Sequence, residues 1–228
     1  MPEPEKDPSI SYEDRWLPHF EKSASEATSA ERNIGHECGH RERRLVFIEL
    51  IQKYLSKEAK SVLDVGCGSG TYFDLYSNLG LYIYGVDFSK AQIDAARKGF
   101  PKSSLHACLV QDAPEDIQAD LAVSIGVTQV VSDLDLFFSE IARRVAPEGI
   151  AIISCLNRRS VWPGGITDPH LRFFTLKEMR SLLGPHFEEI AFRRFYPLPG
   201  PLKVLRGLLY KLQIPLMNHG IMFVLKKR

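Results

Sequence analysis

The sequence predicts an α/β fold in which a largely parallel sheet is covered by helices on both faces. Three observations carry that expectation. Apolar, strand-length runs alternate with helix-length amphipathic stretches through the middle of the chain, joined by short connections. The runs do not alternate apolar with polar residues, as expected of strands buried on both sides. With 228 residues, 44% of them hydrophobic and 25% charged, the chain can bury one sizeable core of this kind.

The elements follow in order. Residues 1–10 are polar and proline-rich, which predicts a loosely held tail with none of the features of a signal peptide. Tyr12, Trp16 and Phe20 share one face of one or two short helices between Ser11 and Ala30. Residues 33–40 read as a loop. A helix from about Arg41 to Leu55 carries an apolar stripe at Phe47, Leu50, Ile51, Tyr54 and Leu55. The first strand, Val62 to Val65, runs into Gly66-Cys67-Gly68-Ser69-Gly70, with a helix beginning near Thr71. The second, Leu81 to Val86, ends at Asp87, and Ser89 caps a helix over Lys90 to Lys98. Leu105 to Val110 is the third strand and Asp120 to Ile125 the fourth. Leu134, Phe137, Phe138, Ile141 and Val145 mark a helix stopped by Pro147, and Ile150 to Cys155 is the fifth strand. A Gly/Pro-rich loop over 157–169, a helix over Thr175 to Leu183, strands over Glu188 to Phe195 and His219 to Leu225, and a helix-like stretch between those two strands complete the chain.

Chemistry concentrates at the first strand–helix turn. Gly66, Gly68 and Gly70 permit positive φ and let a ligand lie against bare backbone, with helix N–H groups beyond them. Asp87, after the second strand, suits a carboxylate accepting hydrogen bonds from ribose hydroxyls. A dinucleotide fingerprint would place its glycines as G-x-G-x-x-G, which disfavours NAD. Asp64 ahead of the glycines would repel a pyrophosphate and suits an ammonium group.

These residues resemble the first motif of class I S-adenosylmethionine-dependent methyltransferases, of the small-molecule type, and the resemblance extends over about 60–226. It implies a Rossmann-like, doubly wound, seven-stranded mixed sheet with the last strand antiparallel, N-terminal helices, and an inserted segment before that strand. It implies S-adenosyl-L-methionine as cofactor, held by Asp64, Val65, Gly66, Cys67, Gly68 and Gly70. The second motif adds Asp87 and Phe88; Gln111, Asp112 and Ala113 stand where the family contacts adenine; Ser124, Ile125 and Gly126 stand in the loop facing the methionine portion. The implied chemistry is in-line methyl transfer to O, N, S or C. Two departures are Thr128-Gln129-Val130, where many members carry Leu-His-His, and Pro147-Glu148-Gly149 in place of Pro-Gly-Gly.

The acceptor side is less legible. Residues 1–40 are expected to form a tail and helical lid, and 41–228 the methyltransferase domain, with 157–175 and 196–217 framing the acceptor. His170 is the first candidate base, followed by His19 and His36. A net charge of +1 and the absence of an Asn/Asp-Pro-Pro-Tyr/Phe string argue against a nucleic-acid acceptor. The expected partner is a small molecule, and the segments framing the acceptor admit a hydrophobic one. The face of leucines in Leu202 to Leu212, backed by Lys203, Arg206 and Lys211, admits two other readings: peripheral contact with a membrane and a lipid-linked acceptor. A non-catalytic adenosyl-ligand binding protein is the reading from another class. His36-Glu37-Cys38-Gly39-His40 matches H-E-x-x-H, but its glycines interrupt a helix, and no metal is expected. Four unpaired-looking cysteines suggest reduced thiols in a cytoplasmic protein.

Overall fold

The structure is a computed structural model that describes residues 12–26, 37–159, 171–195, 212 and 218–228, without the side chains of residues 12, 23, 25, 26 and 37–40. Helices α1 (Tyr12–Glu26) and α2 (Glu37–Tyr54) precede the sheet. Then come β1 (Ser61–Val65), α3 (Phe73–Asn78), β2 (Tyr82–Asp87), α4 (Lys90–Gly99), β3 (Ser104–Ala107), β4 (Ala119–Ser124), α5 (Leu134–Arg144), β5 (Val145–Leu156), α6 (Leu176–Leu183), β6 (Phe187–Phe195) and β7 (Gly220–Lys227). The seven strands lie in the order β3-β2-β1-β4-β5-β7-β6. β1 to β5 are parallel, and β7 runs antiparallel to both β5 and β6. This is the doubly wound mixed sheet expected from the sequence.

Two apolar layers hold it. On one face α2, α3 and α4 contribute Phe47, Leu50, Phe73, Tyr76 and Ile93 against Val62, Leu121, Val123, Ile152 and Met222. On the other, α5 and α6 contribute Phe137, Phe138, Ile141, Met179 and Leu183 against Leu63, Ala122, Ile153, Ile221 and Phe223. Successive strand residues alternate between the layers, so each strand is apolar throughout. Local signals fix the helix starts. The hydroxyl of Ser89 accepts from Gln92 N–H at 3.2 Å, Asp133 from Leu136 N–H at 3.0 Å, and Thr175 with Glu178 forms a reciprocal capping box.

Four expectations require correction. Residues 37–40 are the first turn of α2, not loop, because the helix begins ahead of its apolar stripe. The third strand ends at Ala107, and Val110–Asp112 forms a single 3-10 turn, with the apolar Val110 buried by turning inward rather than by pairing. The helix expected to start near Thr71 starts at Phe73. β5 begins at Val145, directly from α5; Val145 pairs with Ala119 and Ile150 with Leu121, so Pro147 sits in an irregularity where no ladder bond is required of it.

One buried charge ties α5 to the site edge. The fully buried Arg144 pairs with the Glu140 carboxylate and donates from Nη2 to the Ala113 carbonyl at 2.7 Å. Removing the guanidinium strands the Ala113 carbonyl and leaves the Glu140 carboxylate with Arg143 alone. Arg144→Ala is expected to cost about 3 kcal/mol of stability, read as a loss of denaturation midpoint at unchanged m-value.

Candidate functional site

The carboxyl ends of β1, β2 and β4 converge on one crevice. Gly66, at φ +75°, turns the chain out of β1; a Cβ there would lie 2.2 Å from Cγ2 of Val127. Gly66 and Cys67 donate to the Val86 carbonyl at 2.7 and 3.1 Å, pinning the loop to β2. Asp87 completes that attachment: Oδ2 accepts from Gly68 N–H and Oδ1 from Ser89 N–H, both at 2.9 Å. Gly68, by contrast, has open space where a Cβ would stand, with only Gln92 Oε1 within 4 Å. This is the backbone surface a ligand can approach.

A cavity beside the loop is lined by Arg43, Asp64, Gly66, Cys67, Gly68, Thr71, Tyr72 and Ile125. Asp64 is buried at its floor and accepts from the Tyr76 hydroxyl at 3.0 Å. Burial pushes its carboxyl up to about 7, opposed by the Tyr76 hydrogen bond and reinforced by the charge of Asp87. Burial likewise raises Asp87 to about 6, against the pull of the Ser89 and Gly68 N–H groups and with the charge of Glu21 adding to it. Burial, with Asp87 and Asp64 nearby, holds the Cys67 thiol well above its ordinary range.

Arg43 reaches this cavity from α2. Its Nε donates to the Tyr72 hydroxyl at 3.1 Å, and its Nη1 would stand 3.1 Å from a Cβ at residue 126. Gly126, at φ +78°, therefore leaves room for the guanidinium at the end of β4. The Gly126 backbone is otherwise engaged: its N–H donates to the Ser154 hydroxyl at 3.0 Å and its carbonyl accepts from Gln129 Nε2 at 2.6 Å. Ser124 is fully buried and its Oγ has no hydrogen-bond partner among the described residues. Gln111 and Asp112 are exposed on the 3-10 turn. The N–H groups of Asp112 and Ala113 close that turn onto Leu109 and Val110, so these two residues offer a ligand the Asp112 carboxylate rather than a backbone donor.

Helix α1 lies across the crevice. Near one end Glu13 accepts from Ser132 N–H at 2.8 Å and from the Ser132 hydroxyl, beyond β4. Toward its other end Glu21 accepts from the Ser89 hydroxyl at 2.7 Å and Ala91 N–H at 3.2 Å, beyond β2. Phe20 meets the Phe88 ring edge-on, with centroids 5.7 Å apart. Trp16, between those anchors, is buried yet belongs to neither apolar layer.

Residues 63–153 match the family model described as a methyltransferase domain. Residues 63–153 thus carry a methyltransferase domain. The chain is 34% identical over 101 residues to the ubiquinone biosynthesis O-methyltransferase of Bradyrhizobium diazoefficiens, a match covering 42% of this chain and 40% of that protein. Its identity to the same-named protein of Brucella ovis is 32% over 108 residues, covering 44% and 43%. The matched region thus spans about two fifths of those curated relatives. Among solved structures, magnesium protoporphyrin IX methyltransferase from Synechocystis, with bound S-adenosylmethionine, superposes with a TM-score of 0.66 at 11% identity, covering 97% of this chain and 100% of that one. Geranyl diphosphate C-methyltransferase from Streptomyces coelicolor gives 0.64 at 17% identity, covering 97% and 100%. These two likenesses establish the fold.

The crevice fits S-adenosylmethionine, the ligand bound in the Synechocystis structure: bare backbone at Gly68, an acid at Asp64 and a cation at Arg43 suit an amino-acid end with no pyrophosphate. Of the residues expected from the sequence, Asp64, Gly66, Cys67, Gly68 and Ile125 line one cavity, with Asp87 bonded to Gly68 at its edge. Val65, Gly70 and Ser124 lie behind that surface; Phe88 faces α1; Gln111 and Asp112 lie farther along the sheet edge. His170, His36 and the stretch 202–212 apart from Leu212 lie outside the described residues, and His19 is exposed on α1. Arg43, Tyr72, Glu13 and Glu21 were not anticipated. Arg43 sits in the charged run Arg41-Glu42-Arg43-Arg44, where nothing in the sequence separates it from its neighbours. Among the described residues, no helix is long and apolar enough to cross a membrane.

The two raised carboxyls set the sign of the pH response without ligand. Each binds its proton more tightly folded than unfolded, so stability is greatest below the ordinary carboxylate range and falls as pH rises toward 6 to 7. Asp64→Asn is expected to flatten that fall, measured as the midpoint of thermal unfolding between about pH 4.5 and 7.5.

Proposed function

We propose that this protein transfers a methyl group from S-adenosylmethionine to a small-molecule acceptor. The observation that carries this reading is the pairing of an acid, Asp64, with a base, Arg43, on one cavity against open glycine backbone. A zwitterionic amino-acid end needs both charges, whereas a nucleotide phosphate would use the cation and be repelled by the acid.

Asp64 would take the ammonium, which favours its ionised form and pulls its pKa back down. Arg43, already oriented by Tyr72, would take the carboxylate. The Asp87 oxygens each accept one N–H and retain lone pairs for the ribose hydroxyls. Asp112 would accept from the adenine amine. Helix α1, anchored on both sides of the crevice, acts as the lid that keeps water from the transfer site. Bound S-adenosylmethionine supplies a methyl group on a sulfonium, whose neutral thioether leaves without acid assistance. The work left to the chain is to hold the acceptor in line and to receive its proton. The O-methyltransferase names of the curated relatives support a small-molecule acceptor.

Calorimetry with two ligands tests the cradle. Arg43→Ala is expected to weaken S-adenosylhomocysteine binding by roughly 10-fold or more, the loss of a charged hydrogen bond. It should leave 5′-methylthioadenosine, which lacks the amino-acid end, unaffected. Equal losses for both ligands would remove Arg43 from its role, and no binding of either by the unaltered protein would remove the reading itself.

A further inference from the structure

We propose that His219 is the general base for the methyl acceptor, and that the acceptor is a phenol whose hydroxyl proton it takes. This rests on the methyl-transfer reading above.

Topology places the residue. Because β7 runs antiparallel to β5, it starts at the edge of the sheet where β1, β4 and β5 end; Gly220 pairs with Leu156. His219, one residue earlier, is fixed there by two backbone bonds, Asn157 N–H to its carbonyl at 2.9 Å and its own N–H to the Phe195 carbonyl at 3.0 Å. Its ring is half-buried, edge-on to Phe195 with centroids 6.4 Å apart. It makes no hydrogen bond with any described residue, whereas His106 is bonded to Ser104 and His186 to Asp135. Among the described residues the charge felt at the ring is that of Arg43 of α2, the cation that also lines the cavity with Asp64; the neighbours supplied by β5, β6 and the turn before β7 are Asn157, Phe195 and Asn218, all uncharged.

That setting defines the chemistry. Burial, with the Arg43 charge adding to it, holds the imidazole below its ordinary pKa, so it is neutral near pH 7 with a lone pair available. A phenol, with a pKa of about 10, is the better match for such a base, because the gap its proton must cross is smaller than for an aliphatic alcohol. In the step, the phenolic O–H proton passes to the imidazole nitrogen. The freed oxygen pair forms the O–CH3 bond as the S–CH3 bond breaks, and that bond's electrons stay on sulfur. The imidazolium then loses its proton to water.

The test uses the full chain saturated with S-adenosylhomocysteine, and catechol as probe. Imidazole 15N resonances are followed by NMR, with His219 assigned by its loss in His219→Gln. Catechol is expected to shift the His219 resonances and leave those of His106 and His186 in place; no shift of His219 overturns the proposal. In turnover, His219→Gln should lower kcat for catechol roughly 100-fold or more. Its affinity for S-adenosylhomocysteine should stay within about twofold, the limit for a residue outside the cofactor cradle. Activity should be largely retained on 4-nitrocatechol, which is already ionised at neutral pH. An undiminished kcat on catechol, or an equal loss on both acceptors, overturns it. Failure of S-adenosylhomocysteine to bind at all would instead strike the methyl-transfer reading on which this rests.

Discussion

The site depends on one carboxylate. Asp87 receives the Gly68 N–H on one oxygen and the Ser89 N–H on the other, tying the turn after β1 to the turn after β2. The Gly66 and Cys67 N–H bonds to the Val86 carbonyl hold the start of the first turn to β2, and Asp87 extends that attachment to Gly68 and on to the second turn. Through Ser89 the same link reaches the α4 cap and the Glu21 carboxylate, and so positions the helix overhead. A group buried this deeply keeps its charge only with such donors, which is why the N–H groups that build the loop also tune the acid.

Around that link the chemistry divides by strand. Beyond β1 and β2 lie the glycines and acids, with Arg43 reaching the same cavity from α2, suited to an adenosyl ligand; beyond β4, β5 and β7 lie Gly126 and His219, on the side the proposal gives to a second reactant. The order β2-β1-β4-β5-β7 puts these two halves side by side at one edge of the sheet. The crevice therefore sits where the direction of winding reverses, the position at which open α/β sheets take their ligands.

Legibility followed locality. The cradle could be read because its signals are compressed into strand–turn–helix units: Asp64 before three glycines, Asp87 closing the next strand, Ser89 capping the next helix. Apolar runs revealed the strands, but not their ends. Val110 looks like strand and is buried by a turn; Pro147 looks like a barrier and sits in a pairing irregularity. Arg43 and His219 were invisible for a different reason. Each owes its place to packing between elements far apart in the chain, and an arginine in a charged run or a histidine ahead of an apolar strand carries no mark of that. Glu13 and Glu21 are similar: ordinary helical acids until Ser132 and Ser89 are seen beneath them.

Cys67 stands in the middle of the glycine turn, and its burial has a consequence for how the protein meets oxidative stress. Peroxides and alkylating reagents attack thiolates, and here burial and two neighbouring carboxylates keep the sulfur protonated, with its hydrogen directed at the Gly68 carbonyl. A thiol set in this loop is thereby kept in its less reactive, protonated form. Cys155, buried in β5 with its thiol raised by burial, is protected in the same way.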